Sequence, residues 1–144
     1  MIAVDTNILV YAHRRDSPWH EQAHAALSGL AAGPARWAVP WSCIHEFFGV
    51  VTHPRIYDPP SLAEQAIDQI DAWVECPTLE LIGEESDYWE KLRELLREGR
   101  ISGPRVHDAR IAAACILHGV RELWTADRDF SRFPKLITRN PLVP

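Results

Sequence analysis

Met1-Ile2-Ala3-Val4-Asp5-Thr6-Asn7 is the stretch that decides the fold: a short apolar run of β type that ends in a carboxylate and two small polar residues. A run of this kind fits a strand buried on both faces, as in a parallel sheet. Asp5 then sits at the carboxyl end of the strand, where open α/β sheets place their ligands. Glu122-Leu123-Trp124-Thr125-Ala126-Asp127 repeats the pattern near the other end of the chain. Two strands thus deliver carboxylates to one edge of one sheet. Such charges repel each other unless a cation neutralises them. This implies a hard metal ion and chemistry on phosphate.

Outward from residues 2–5, strand and helix signals alternate, the mark of an α/β fold with a mostly parallel sheet. A short helix is expected over 7–13. Asp16-Ser17-Pro18 reads as a helix start, with Pro18 at the first helical position and the end near Gly33-Pro34. Residues 36–39 read as a strand, 42–52 as a helix and 54–60 as a loop. Ser61 is expected to cap a helix reaching about Val74. Thr78 to Leu81 read as a strand. Residues 84–98 form a charged amphipathic helix ended by Gly99, and 104–118 a very apolar helix closed by Gly119. Strands are expected at 122–125 and 135–138. With no repeat or linker in the sequence, residues 1–144 are read as a single domain.

The 144 residues suffice for one sizeable core, and the apolar fraction of 47% is ordinary for a globular protein. No apolar run approaches the length of a membrane span. Asp5 interrupts any signal-peptide core and no basic segment precedes it, so a cytoplasmic location is expected. Cys43, Cys76 and Cys115 are odd in number and widely spaced in apolar contexts, which reads as buried free thiols. The net charge of −5 is unevenly spread. Residues 1–90 carry 4 Lys/Arg against 14 Asp/Glu, and residues 91–144 carry 11 against 6. Along 84–98, Lys91, Arg93 and Arg97 interleave with Glu90, Glu94 and Glu98, as a solvated helix face requires. Arg105, Arg110, Arg128 and Arg132 instead flank Asp108 and Asp127.

Asp5, Glu46, Asp108 and Asp127 each interrupt an apolar stretch, and Asp129 is a fifth candidate. Glu46 lies on the helix 42–52 with Ser42, Gly49 and Val50 at helical spacing, small enough to leave room for an ion and a substrate. Taken singly, each acid has a plainer account. Asp108 suits the first turn of a helix, Asp127 a turn, and Glu46 an arginine partner. Together, two strand-end acids and two helix acids favour a shared cation. Mg²⁺ wants oxygen ligands and retains several waters, and Mn²⁺ accepts the same set.

The ordered set resembles a PIN-domain nuclease, and most closely a VapC-type toxin of a toxin–antitoxin pair. The residues that carry the resemblance are Ile2-Ala3-Val4-Asp5-Thr6-Asn7, Asp16-Ser17-Pro18 and the helix after it, and Glu46. They continue in Asp108-Ala109-Arg110-Ile111-Ala112-Ala113-Ala114 and Leu123-Trp124-Thr125-Ala126-Asp127-Arg128-Asp129-Phe130. The resemblance implies a three-layer α/β/α sandwich and a metal-dependent endoribonuclease. It places Asp5, Glu46, Asp108 and Asp127 in the metal cluster, with Thr6, Asn7 and Thr125 in support, and leaves open whether Asp127 or Asp129 is the fourth ligand. It also implies a homodimer, an RNA substrate and a small antitoxin that blocks the site. Arg14, Arg15, Arg110, Arg128 and Arg132 are available to RNA phosphates. Trp19, Trp41 and Trp124 are read as core aromatics before base-stacking ones. No side chain stands out as a covalent nucleophile. His107 adjoins Asp108 in sequence, but helix geometry turns neighbours apart.

One decoy remains. His20-Glu21-Gln22-Ala23-His24 matches the H-E-x-x-H pattern of zinc proteases on an expected helix, and Glu46 offers itself as a third ligand. The pattern fixes only three positions, and a protease leaves Asp5, Asp108 and Asp127 unexplained. Two more functions fit the same fold: a PIN nuclease of RNA processing, and a non-catalytic interaction domain, which the intact acidic set disfavours.

Overall fold

The computed structural model describes residues 1–144. A five-stranded, wholly parallel sheet lies at its centre in the order β3-β2-β1-β4-β5. The strands are β1 (Ile2–Val4), β2 (Trp37–Pro40), β3 (Leu79–Ile82), β4 (Glu122–Trp124) and β5 (Ile137–Arg139). The helices are α1 (Thr6–His13), α2 (His20–Ala32), α3 (Trp41–Val51), α4 (Ala63–Val74), α5 (Tyr88–Glu98) and α6 (Val106–Leu117). Helices α1 to α4 pack as one layer and α5 with α6 as the other, the α/β/α sandwich expected from the sequence. No helix is long and apolar enough to cross a membrane.

β1, β2 and the middle of β4 are apolar because both their faces are covered. Ala3, Val4, Trp37, Ala38, Val39 and Leu123 are all buried. Burying a Val or Leu side chain contributes roughly 1.5–3 kcal/mol, so this slab holds the strand order. Register aligns Ala3 with Ala38 on one side and with Leu123 on the other. The carboxyl ends of β1 and β4 therefore lie next to each other. Asp5 N–H donates to the Trp124 carbonyl at 3.0 Å, which locks that pair of ends. Helix α6 is buried along Ala109 and 111–115, as its nearly unbroken apolar sequence requires.

Several boundaries differ from expectation, each for a local reason. Ser61 caps no helix: its buried hydroxyl is taken by His13 Nε2 at 2.9 Å and Arg14 Nη1 at 3.3 Å. The N–H of Leu62, the residue that precedes α4, donates instead to Gln65 Oε1. Pro18 lies in a turn before α2, whose first residue is His20. Helix α5 starts at Tyr88 rather than at residue 84, because Glu84 and Glu85 turn towards Arg110 on α6 and His118 just after it. Pro104-Arg105 form a 3₁₀ turn ahead of α6. Gly119 ends α6 with φ +73°, as expected, but after α5 the left-handed residue is Arg100 (φ 50°) and not Gly99. Space at 99 is tight, since a Cβ there would come to 3.1 Å of Ile101 Cδ1 and of the Leu95 carbonyl. Cys43 and Cys115 are buried free thiols, whereas Cys76 is only half-buried.

Candidate active site

Asp5 is the first residue after β1 and the cap of α1. Its Oδ1 accepts from the Thr6 N–H at 2.7 Å, and its Oδ2 from the Thr125 hydroxyl at 2.7 Å. The Cys43 thiol, held protonated by burial and the nearby Asp5 charge, lies 3.7 Å from Oδ1. Thr125 in turn accepts from Asn7 Nδ2 at 3.3 Å and from the Asp127 N–H at 3.0 Å. Asn7 Oδ1 accepts from the Ala126 N–H at 3.2 Å. Thr6-Asn7 and Thr125 thus stitch the ends of β1 and β4 together and fix Asp5 in one orientation.

Beyond β4 the chain turns because Asp127 Oδ1 accepts from the Asp129 N–H at 2.8 Å. This turn brings Asp129 back towards α6, whose first turn presents Asp108. Carboxylate oxygens of Asp108, Asp127 and Asp129 lie within 4.8 Å of one another. Asp5, Glu46, Asp108 and Asp127 line one cleft of about 320 Å³, with Thr6, Asn7, Tyr11, Tyr57 and His107. Asp129 lies outside that lining and is exposed.

Depth separates the acids. Asp5 is 6% exposed, Asp108 and Asp127 are half-buried, and Glu46 stands exposed at the rim. Burial raises the Asp5 pKa against the pull of its Thr125 and Thr6 hydrogen bonds, and Glu46 pushes the same way. Asp108 is pushed up to about 6, by burial first and then by Asp127, Asp5 and Asp129, with Arg105 opposing. Glu46 is also raised, by desolvation and then by Asp108, with His107 opposing. Burial first, and then repulsion among the acids, is what these shifts record. The one guanidinium that reaches the group is Arg105, 3.8 Å from Asp129. Beside the acids, the Thr6 hydroxyl is buried with no hydrogen-bond partner. All-oxygen donors, excess negative charge and an orphaned hydroxyl suit a hard divalent cation with its waters.

The arginines separate as well. Arg14 is held by Asp16 through two hydrogen bonds of 2.9 and 2.6 Å, by the Pro59 carbonyl and by the Tyr57 ring. Arg110 pairs with Glu84, and Arg132 donates to the Gly99 carbonyl. Arg15 and Arg128 are exposed. The zinc decoy comes apart: His20 and His24 line a different, polar cavity of about 920 Å³ with His13, Arg14 and Arg15, which Glu46 does not reach. His20 Nδ1 bonds to the Tyr11 carbonyl. Trp19 and Trp41 are exposed rather than core residues. Sequence reasoning set aside His107 and missed Tyr11, Tyr57 and Cys43. The helical spacing of Tyr11 from Asn7 was the one available signal.

A PIN domain family model matches residues 2–136. The chain belongs to the PIN domain family. Ribonuclease VapC48 of Mycobacterium tuberculosis is 31% identical to this PIN domain over 137 residues, 95% of this chain and 94% of its own. Ribonuclease VapC43 of the same organism is 32% identical over 142 residues, 99% of this chain and 96% of its own. These matches place the PIN domain among the VapC ribonucleases. A chain in the crystal structure of VapBC2 from Rickettsia felis, bound to a DNA fragment from its promoter, matches it with a TM-score of 0.66. That match has 27% identity and covers 97% of this chain and 98% of the other.

Proposed function

We propose that this PIN domain is a Mg²⁺-dependent endoribonuclease, with Mn²⁺ able to substitute, and that it acts as the toxin of a toxin–antitoxin pair. The observation that carries the catalytic part is the convergence of carboxylates from β1, α3, α6 and β4 on one cleft with almost no cationic partner. Asp108 and Asp127 are assigned as direct ligands, with Asp129 beside them and Asp5 and Glu46 binding directly or through water. Bound there, the cation supplies charge neutralisation at the scissile phosphate and acidifies an attacking water. Asp5, held on both oxygens, keeps one orientation as the substrate enters. The free Thr6 hydroxyl offers a hydrogen bond to a water or a phosphate oxygen. Glu46, at the rim and with a raised pKa, is suited to accept the proton of the attacking water. The toxin role and an antitoxin partner are supported by the VapC relatives and the VapBC2 likeness, and a homodimer is part of the same proposal.

Asp5→Asn and Asp108→Asn, each shown folded by circular dichroism, should cut single-stranded RNA at least about 100-fold more slowly. Chelation should abolish cleavage, and Mg²⁺ or Mn²⁺ should restore it. Wild-type rates in either variant, or in excess EDTA, would overturn the metal assignment. Growth arrest on expression, relieved by the product of an adjacent gene, tests the toxin role. Cleavage without arrest would assign the nuclease to RNA processing.

A further inference from the structure

A second groove opens on the same edge of the sheet as the acidic cleft. It has a volume of about 220 Å³ and lies at the carboxyl ends of β2 and β3. Its walls come from the two helices that also wall the cleft. On α6, Asp108 and Ile111 face the cleft while Arg110 and Ala114 face the groove. On α3, Glu46 and Val50 face the cleft while Trp41, Ser42 and His45 face the groove. Sheet order places β3 and β2 beside β1 and β4, so the two openings are about 10 Å apart, two strand spacings. That separation corresponds to about three stacked nucleotide steps of ~3.4 Å, and fewer in a splayed strand.

Trp41 dominates the groove. The residue is 43% exposed, an unusual position for the largest apolar side chain on a helix that buries most of its other apolar residues. It lies stacked with His45, ring centroids 6.3 Å apart and planes 29° apart. Gly83 sits beside Trp41, where even a Cβ would come to 3.7 Å of the indole Cδ1. The polar groups around the platform are Ser42 and the paired Glu84 and Arg110. An exposed flat π-face with donors and acceptors around it fits an unpaired nucleobase, stacked on one face and read along its edge.

We propose that the Trp41–His45 platform, with Ser42, Glu84 and Arg110, is a base-binding subsite for an unpaired nucleotide of the RNA whose scissile phosphate lies in the acidic cleft. The subsite rests on the ribonuclease reading of that cleft. It holds the substrate and takes no part in bond cleavage, so its loss acts on affinity.

The experiment uses a short single-stranded RNA and a set of copies each carrying one abasic position. Binding is measured with Asp108→Asn protein, expected to cleave at least about 100-fold more slowly, and cleavage with the active chain. Base–aromatic stacking predicts that Trp41→Ala raises Kd and KM about 5- to 100-fold with kcat little changed. Trp41→Phe should restore most of the affinity. One abasic position should weaken the parent protein by a similar factor and leave the Trp41→Ala protein indifferent. His45→Ala, a substitution at an exposed residue, gives a smaller effect in the same direction. Unchanged RNA affinity in folded Trp41→Ala overturns the subsite, and so does an abasic penalty that persists in that variant. Loss of self-association with RNA affinity intact would assign the platform to a protein contact, which also overturns it. If the active chain does not cleave RNA at all, the nuclease reading fails instead, and the binding arm still decides the subsite.

Discussion

Replacing Asp108 with Asn should stabilise the metal-free protein at neutral pH while removing its response to Mg²⁺. Asp108 has an ordinary value of 3.8 and is pushed up to about 6 in the fold. The folded protein therefore holds a proton between these values that the unfolded chain releases. Stability falls wherever the folded state binds the extra proton, so the Asp108 contribution declines as pH rises from about 4 to about 6 and is flat above. A shift of about two units is worth roughly 3 kcal/mol at 1.36 kcal/mol per unit. Asp108 is only half-buried, and solvent screening brings this to about 1.5 kcal/mol. Against it stands the helix dipole, because Asp108 lies in the first turn of α6 and its charge contributes ~0.3–1 kcal/mol there. The cost of the buried, crowded charge wins by about 1 kcal/mol, or roughly 2–4 °C in Tm for a chain of this size. The assay is thermal unfolding of parent and variant in EDTA at pH 4 and pH 8, repeated with Mg²⁺ at pH 8. The variant should melt higher at pH 8 and match the parent at pH 4, where both side chains are neutral. Comparison with the variant is essential, because Asp16 beside Arg14 and Glu94 beside Lys91 and Lys135 shift the opposite way. In Mg²⁺ at 100 times its Kd, the parent should gain about 2.7 kcal/mol and the variant far less. A variant that melts at or below the parent in EDTA at pH 8 would refute the unneutralised charge of the cleft.

Arg100→Gly should raise the urea midpoint, since Arg100 carries φ 50° at the end of α5 and a left-handed non-glycine residue costs roughly 1–2 kcal/mol. Ser61→Ala should lower stability by about 1–2 kcal/mol in the same assay, because it leaves His13 Nε2 and Arg14 Nη1 without their shared buried oxygen. His20→Ala should leave RNA cleavage unchanged, and purified protein should contain no zinc that this substitution removes, as elemental analysis would show.

The sheet was the most legible part of the chain, because its physics is local. A strand buried on both faces must be apolar throughout, so residues 2–4 and 123–124 announce themselves, and a carboxylate directly after the first and three residues after the second is conspicuous. Glu46 and Asp108 were visible for the same reason, as acids in helices with little other polar surface. Long-range pairing was not legible. Nothing near residue 84 in sequence indicates that Glu84 leaves the helix for Arg110, or that Ser61 is claimed by His13. The convergence of Asp129 with Asp108 and Asp127 depends on one hydrogen bond, from the Asp129 N–H to Asp127, that reverses the chain. Exposure of Trp41 was equally hidden: its residue type and helical position fit a core, and only the gap between α3 and α6 leaves it uncovered.

The distribution of arginines shows why the cleft stays negative. A guanidinium among Asp5, Asp108 and Asp127 would relieve their repulsion and stabilise the free protein. The nearby arginines are instead occupied elsewhere: Arg14 by Asp16 and the Pro59 carbonyl, Arg110 by Glu84, and Arg132 by the Gly99 carbonyl. Arg105 stops at Asp129, on the outer side of the cluster. Acids such as Asp16 and Glu84 thus hold cations away from the cleft as much as they bind them. Freeing one, as in Glu84→Gln, should leave the Arg110 charge unpaired on the groove side of α6, about 10 Å from the cleft and within a Debye length of it. The substitution should weaken Mg²⁺ binding measured by calorimetry although it touches no ligand. Unchanged Mg²⁺ affinity in Glu84→Gln would show that the pairing of Arg110 has no part in keeping the cleft negative.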